Sequence, residues 1–212
     1  SLSLDALPPL PADPSNAVAN SEAAAQLGYS LYFDARLSAN GAVSCASCHK
    51  PDLMFTDGLK LAVGAGLGSR HTPSLLGLSY SPWFYWDGRK DSQWAQALAP
   101  LEAKHEHGIT RSALATLIRE DSSYAAAYEA VFGALPAFEM PEAASPLGSE
   151  SERSAWEALR AEEKQQINEV FANLGKALAA YQRKLVPGRA RFDEYAATLA
   201  EKQSAQVKTG SA

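Results

Sequence analysis

Cys45-Ala46-Ser47-Cys48-His49 holds both cysteines of the chain, and a histidine directly follows the second. Thiols at that spacing add across the vinyl groups of a haem, and the adjoining imidazole takes the iron as proximal ligand. The segment therefore reads as a c-type haem attachment site, with His49 as the metal ligand. Two other chemistries use the same residue types. A redox dithiol of the thioredoxin kind needs a βαβ context, and no strand-period segment of any length is present. A structural zinc needs four ligands, yet beyond these three only His71, His105 and His107 remain, none at a familiar spacing.

Helices and loops must hold such a ring, and their signals are legible. Ser21 can cap a helix running to about Phe33, with Leu27, Leu31 and Tyr32 on one side. The attachment motif follows Asn40-Gly41 in a short helical turn. From Pro51 to Pro82 glycines and prolines recur, which predicts a long loop that wraps the haem. Asp91 to Ala99 reads as a short helix ended by Pro100. Thr110 caps a further one through Arg119, and Asp121 caps Ser122 to Phe132, stopped by Gly133. Residues 134 to 150 form a second surface loop. Ser154 to about Leu185 reads as the strongest helix, with apolar residues repeating at three and four until Pro187-Gly188. A last helix covers Arg191 to Ala200. The prolines of residues 1 to 20 predict an extended arm laid over the domain. The fold class is all-α, a cytochrome c-like domain with the haem as part of its core and long loops around it.

A chain of 212 residues with 46% hydrophobic content buries a substantial core, as one domain or two small ones. A net charge of −5, with no basic run, excludes nucleic acid and anionic membrane surfaces as partners. No apolar run approaches the length of a membrane span. Haem is attached to this kind of motif outside the cytoplasmic membrane, so a bacterial periplasm is the expected home.

Longer phrases now line up: LGYSLYFDARLS at 27 to 38, SCASCHKPDLMFTDG at 44 to 58, RHTPSLLGLSY at 70 to 80, and FYWDGRKDSQWAQALAPLEAKHEHG at 84 to 108, followed by LGKALAAYQRKL at 174 to 185 and FDEY at 192 to 195. Together they resemble the amino-terminal haem domain of the bacterial dihaem cytochrome c peroxidases and their MauG-like relatives. The resemblance implies a haem that reacts with hydrogen peroxide. Its distal side would carry Gln96, Pro100 and Glu106. A carboxyl group there moves a proton between the peroxide oxygens, and an amide holds water and peroxide in place. Glu106 is thus the expected general acid/base. Read without the resemblance, it is an ordinary solvated carboxylate near a helix end. Trp86 would lie between two haems as an electron relay, against the plainer reading of a core tryptophan. Arg70, in the Arg70-His71-Thr72-Pro73 phrase, counts with the haem-binding residues.

Departures from the family pattern matter too. Relatives that need reductive activation carry a removable histidine ligand in the loop before that phrase, a position that falls near Ala65 here. His71 stands where relatives often have an asparagine that binds calcium, and imidazole is a poor ligand for that hard cation, which argues against the ion. A second attachment motif is absent from the sequence, so residues 21 to 200 read as one haem domain and 201 to 212 as a linker toward a second haem domain. Electrons would then come from that second haem or from a small donor protein, a cytochrome c or a cupredoxin. Alternatively, peroxide would serve to oxidise a partner protein. A rival from another class stays open: a monohaem electron carrier whose iron is closed by His49 and a methionine, Met54 or Met140.

Overall fold

The computed structural model describes residues 7–209. Eight helices follow one another: α1 Glu22–Phe33, α2 Cys45–Cys48, α3 Gln93–Glu102, α4 Arg111–Glu120, α5 Ser122–Phe132, α6 Glu150–Ala158, α7 Ala161–Gln182 and α8 Arg191–Thr209. Only isolated β-bridges accompany them among the described residues. The architecture is all-α.

Packing centres on α7, whose Ile167, Val170, Leu174 and Leu178 are almost wholly buried against Leu27, Leu31 and Tyr32 of α1, Leu98 and Leu101 of α3, and Leu114 and Ile118 of α4. Burying one such side chain stabilises the fold by about 1.5–3 kcal/mol. The close crossing of α1 on α7 needs Gly28, because a Cβ there would stand 2.0 Å from the Ala177 carbonyl oxygen. Gly175 serves the α3 crossing in the same way, with the Trp94 carbonyl oxygen 2.7 Å from its would-be Cβ. A chain of buried amides adds direction to this apolar interface: Ser79 Oγ donates to Gln93 Oε1 at 2.9 Å, and Gln93 Nε2 donates to Gln182 Oε1 at 3.0 Å.

Caps sit where side-chain chemistry demands them. Ser21 accepts from Ala24 N, Thr110 from Ala113 N, and Asp121 from Ser123 N and Tyr124 N. Three expectations are corrected. Pro100 does not end α3, which begins at Gln93 and runs on to Glu102. Proline removes only the bond to the Gln96 carbonyl in a final turn, and the wholly buried Leu101 holds the chain helical. The expected helix from Ser154 to Leu185 is two. Leu159 and Arg160 are extended, and the Glu163 carboxylate accepts from Arg160 N at 2.9 Å to start α7 afresh. The last helix does not stop at Ala200 but continues to Thr209, so the first part of the expected linker is helical.

Of the N-terminal arm, residues 1–6 lie outside the described residues. The remainder has no regular structure up to Ala12 and turns between Pro14 and Asn20. It is fastened to three parts of the fold. Tyr80 Oη donates to the Pro8 carbonyl at 2.9 Å, Arg183 Nη2 to the Pro11 carbonyl at 3.0 Å, and Asn16 Nδ2 to the Lys176 carbonyl at 3.1 Å. No helix among the described residues is long and apolar enough to cross a membrane.

Candidate functional site

One turn of helix, α2, carries Cys45 and Cys48, both free thiols, and ends at His49. Ser44 N donates to Ser47 Oγ at 3.0 Å, which fixes the start of that turn. Burial pushes the Cys45 thiol up to about 12, with the nearby Cys48 and Glu106 charges adding to it. The Cys48 thiol is raised as well, first by burial and then by Asp57 and Glu106. Cys48 Sγ also donates to the Val63 carbonyl at 3.4 Å, which ties the attachment turn to the loop that follows it.

His49 is oriented from behind. A carbonyl oxygen can only accept, so the 3.0 Å contact between His49 Nδ1 and the Phe55 oxygen puts the ring proton on Nδ1 and leaves Nε2 as the ligating nitrogen. That carbonyl is delivered by two successive non-glycine residues in the left-handed region, Met54 at φ 56° and Phe55 at φ 59°. Such conformations cost on the order of 1 kcal/mol or more each and persist only where surroundings hold them. Here Phe55 N donates to the Lys50 carbonyl at 2.8 Å, and Ser74 Oγ donates to the Met54 carbonyl at 2.6 Å. The buried Tyr32 phenol donates to the His49 carbonyl itself. Burial keeps the imidazole below its ordinary pKa, hence neutral and fit to bind a metal.

The residues fit a haem. From Leu53 to Trp86 the wrapping loop leaves Leu53, Met54, Leu59, Val63, Leu67, Trp83 and Trp86 exposed. Two free thiols and a neutral imidazole on one turn are the donor set of a covalent haem, and these open apolar side chains are surface that a large flat apolar ring would cover. The rival axial ligands do not suit. Met140 is buried in the helical core, and Met54 belongs to the turn that holds the proximal imidazole.

Gln96 projects from α3, and burial raises the pKa of the Tyr85 phenol, against the opposing influence of the Gln96 amide. Tyr85 has φ 65°, and the Arg89 guanidinium lies over its ring at 3.4 Å. Glu106 follows α3, with its side chain 42% exposed and Oε1 3.5 Å from His105 Nε2. Burial raises the Glu106 pKa, against the opposing pull of His105 and Arg89. Arg89 and Tyr85 are thus stacked, and the Arg89 charge favours the ionised form of Glu106. Pro100 bends no chain here; its carbonyl accepts from His107 N at 3.1 Å, which folds the Ala103–Gly108 segment back over α3.

Glu106 is also held from the loop side. Ala65 N donates to the Glu106 carbonyl at 2.9 Å, and Gly66 N to the His105 carbonyl at 3.0 Å. A Cβ at Gly64 would stand 2.8 Å from the His105 oxygen and 2.9 Å from Glu106 Cα. Trp86 is 78% exposed and meets the His71 ring edge-on at 6.3 Å between centroids. It is no core tryptophan. The Arg70 side chain is exposed and makes no hydrogen bond or ion pair among the described residues. Nor do the described residues group three or more histidines, cysteines or carboxylates able to hold a metal ion.

Two residues of the site escaped sequence reasoning. Tyr85 is marked only by its place before Trp86. His107, with 4% exposure, receives no spacing signal, yet Nδ1 donates to the Leu37 carbonyl at 2.9 Å while Nε2 lies 4.0 Å from Cys45 Sγ.

The pattern of the family described as di-haem cytochrome c peroxidase matches residues 22–201. Over 172 residues the chain is 35% identical to the methylamine utilization protein MauG of Methylorubrum extorquens, an alignment covering 80% of this chain and 40% of that protein. To cytochrome c551 peroxidase of Pseudomonas aeruginosa it is 26% identical over 192 residues, 90% of this chain and 47% of the relative. A solved structure of a MauG-like protein associated with microbial copper homeostasis superposes with a TM-score of 0.64 at 27% identity, covering 91% of this chain and 49% of the other. The chain spans less than half the length of each of these relatives.

Proposed function

Because the chain belongs to the di-haem cytochrome c peroxidase family, we propose that it is a c-type haem domain at which hydrogen peroxide is reduced to water. Cys45 and Cys48 hold the ring and His49 Nε2 takes the iron. The haem, when bound, supplies the electron-transfer chemistry that breaks the O–O bond. The chain supplies orientation and protons. Glu106, held at its own carbonyl by the Ala65 amide and at the preceding His105 carbonyl by that of Gly66, takes the proton from one peroxide oxygen and gives it to the departing one. A carboxyl with a raised pKa suits a group that must both accept and return a proton. Gln96 holds the peroxide and its water. Arg89 adds positive charge beside Tyr85 and Glu106. Trp86, exposed and easily oxidised, passes electrons toward a second haem domain or a small donor protein, a cytochrome c or a cupredoxin. Where the partner is instead a protein to be oxidised, the same indole carries the oxidising equivalent outward. The domain is read as periplasmic, since its cofactor is attached on that side of the membrane.

The observation that carries this reading is the return of the Ala103–Gly108 segment to the attachment turn: His107 Nε2 lies 4.0 Å from Cys45 Sγ, and the Glu106 carbonyl accepts from Ala65 N in the loop whose Val63 carbonyl accepts from Cys48 Sγ. It is tested by stopped-flow mixing of the haem-loaded protein with peroxide, following the Soret band. Glu106→Gln keeps size and hydrogen bonding but removes the titratable proton, so it should slow the reaction by about a hundred to ten thousand fold. An unchanged rate in that variant overturns the role of Glu106.

A further inference from the structure

Aromatic rings lead from the proximal histidine to the surface along a route the peroxide chemistry above does not use. Tyr32 is wholly buried, its phenol donates to the His49 carbonyl, and its ring lies 6.4 Å from that of Phe55, whose carbonyl orients the His49 imidazole. The next phenol, Tyr181, lies 5.0 Å from Tyr32 between centroids, and Tyr29 follows 5.5 Å beyond. Tyr29 is 48% exposed. Phe33 packs against both ends of the set, 4.9 Å from Tyr32 and 5.0 Å from Tyr29, and keeps the interior of the route apolar. Cys45 and Tyr181 both pack against the core cluster that contains Tyr32, so the ladder begins beside the attachment turn. Three phenols in van der Waals succession between a redox site and water are a conductor of single electrons. The hydroxyls of Tyr29 and Tyr181 make no hydrogen bond among the described residues, so phenylalanine would pack equally well at either position.

We propose that Tyr32, Tyr181 and Tyr29 form a one-electron relay joining the haem site to the surface at Tyr29, separate from the Trp86 edge. The inference rests on the peroxide reading, and hydrogen peroxide is the oxidant. Reduction of one peroxide to two waters consumes two electrons and two protons. One electron would come from the haem itself, replaced afterwards by the donor proposed above, and the other comes from the relay. Tyr32 yields an electron to the site, Tyr181 refills Tyr32, and Tyr29 refills Tyr181. At Tyr29 the O–H bond breaks: the electron moves inward, the proton goes to water, and a neutral phenoxyl remains at the surface. A one-electron donor arriving there, with a proton from solvent, restores the phenol. Tyr32 cannot be the resting place of the oxidising equivalent, because its only proton acceptor is the weakly basic carbonyl of His49.

The test mixes haem-loaded protein with peroxide without added reductant and reads three signals: the Soret change, the radical by freeze-quench electron paramagnetic resonance, and the site of a nitroso spin-trap adduct by peptide mass mapping. The relay requires a tyrosyl signal and an adduct on Tyr29. Tyr29→Phe should remove the adduct, and Tyr181→Phe should reduce it to background while the Soret change keeps its rate. An adduct confined to Trp86, or a Tyr29 adduct undiminished in Tyr181→Phe, overturns the relay and leaves the peroxide reading intact. Absence of any Soret change in the parent protein overturns the peroxide reading and the relay with it.

Discussion

His49 Nδ1 donates to the carbonyl oxygen of Phe55, six residues further along the chain, at 3.0 Å. The bond exists because Met54 and Phe55 both take left-handed backbone angles, which turn the chain back on the histidine within a single tight loop. The ring orientation of His49 is therefore fixed by local chain geometry, and Nε2 carries the lone pair that the proposed iron ligation needs.

In the Val63–Leu67 hairpin the Ala65 N–H donates to the Glu106 carbonyl, and the resemblance puts the position of a removable ligand near Ala65, which has no imidazole to offer. The ferric haem-loaded protein should accordingly be high-spin by electron paramagnetic resonance, with water or nothing as sixth ligand. His71, exposed beside Trp86, should be replaceable by alanine without changing that spectrum. A low-spin signal that becomes high-spin in His71→Ala would make His71 the ligand.

Glu102 and Glu106 are separated by four residues and should respond in opposite ways to loss of charge. Glu102 is paired with Arg111 through two bonds, of 3.0 and 2.8 Å, in a half-buried setting where Asn168 and Ser145 also take part. Breaking such a pair strands the guanidinium, and Glu102→Gln should cost about 3 kcal/mol of stability in urea unfolding. The peroxide reaction of its folded fraction should keep the parent rate. In Glu106→Gln the pattern reverses.

Gly28→Ala should be among the most damaging single-methyl additions in the chain. Its Cβ would meet backbone, the Ala177 carbonyl, so no side-chain rotation relieves it and α1 must move off α7. Overpacking of this kind costs roughly 1–3 kcal/mol or more. A thermal melt several degrees below the parent, with Soret absorbance retained at low temperature, is the expected result.

Acidification should weaken the fold in two stages. Burial depresses the His107 pKa from its ordinary 6.5, so below that value the unfolded chain binds more protons than the folded one. Stability from this group is complete above pH 6.5 and is lost as pH falls below it. Bonds from Ser123, Tyr124 and Arg36 hold the Asp121 carboxyl at about 2 instead of 3.8. That contribution is intact above pH 3.8 and disappears on the way down to about 2. Urea midpoints measured on the haem-loaded protein should trace both declines, and His107→Gln should abolish the first.

The legible parts of the fold were those whose chemistry is local. Ser21, Thr110 and Asp121 bond to amides two or three residues away, so the helix starts they mark could be read directly from the sequence. Pro100 misleads because its local effect is overruled by Leu101, whose partners lie on other helices. The break at Leu159 carries neither glycine nor proline, only a pair of glutamates whose capping role shows once Arg160 is seen extended. For the site, Cys45, Cys48 and His49 declare themselves by spacing. Gln96 and Glu106 stand ten residues apart with no pattern of their own, and it is the fold-back of Ala103–Gly108 onto Pro100 that returns the segment holding Glu106 to the attachment turn. His107 and Tyr85 become meaningful only through distant partners, the Leu37 carbonyl and the Gln96 amide.

The pairing of α1 with α7 also sets a timetable. Asn16, in the arm just ahead of α1, bonds the Lys176 carbonyl of α7 from 160 residues away in the chain. A polypeptide delivered from its N-terminus presents Cys45 and Cys48 long before α7 is available, and loops that long close late. The thiols are therefore presented on an open segment, where a bulky porphyrin and the apparatus that would ligate it have room to work. Helix α7 arrives afterwards and completes the core against α1, α3 and α4, so the attachment turn exists before the interior behind it is closed.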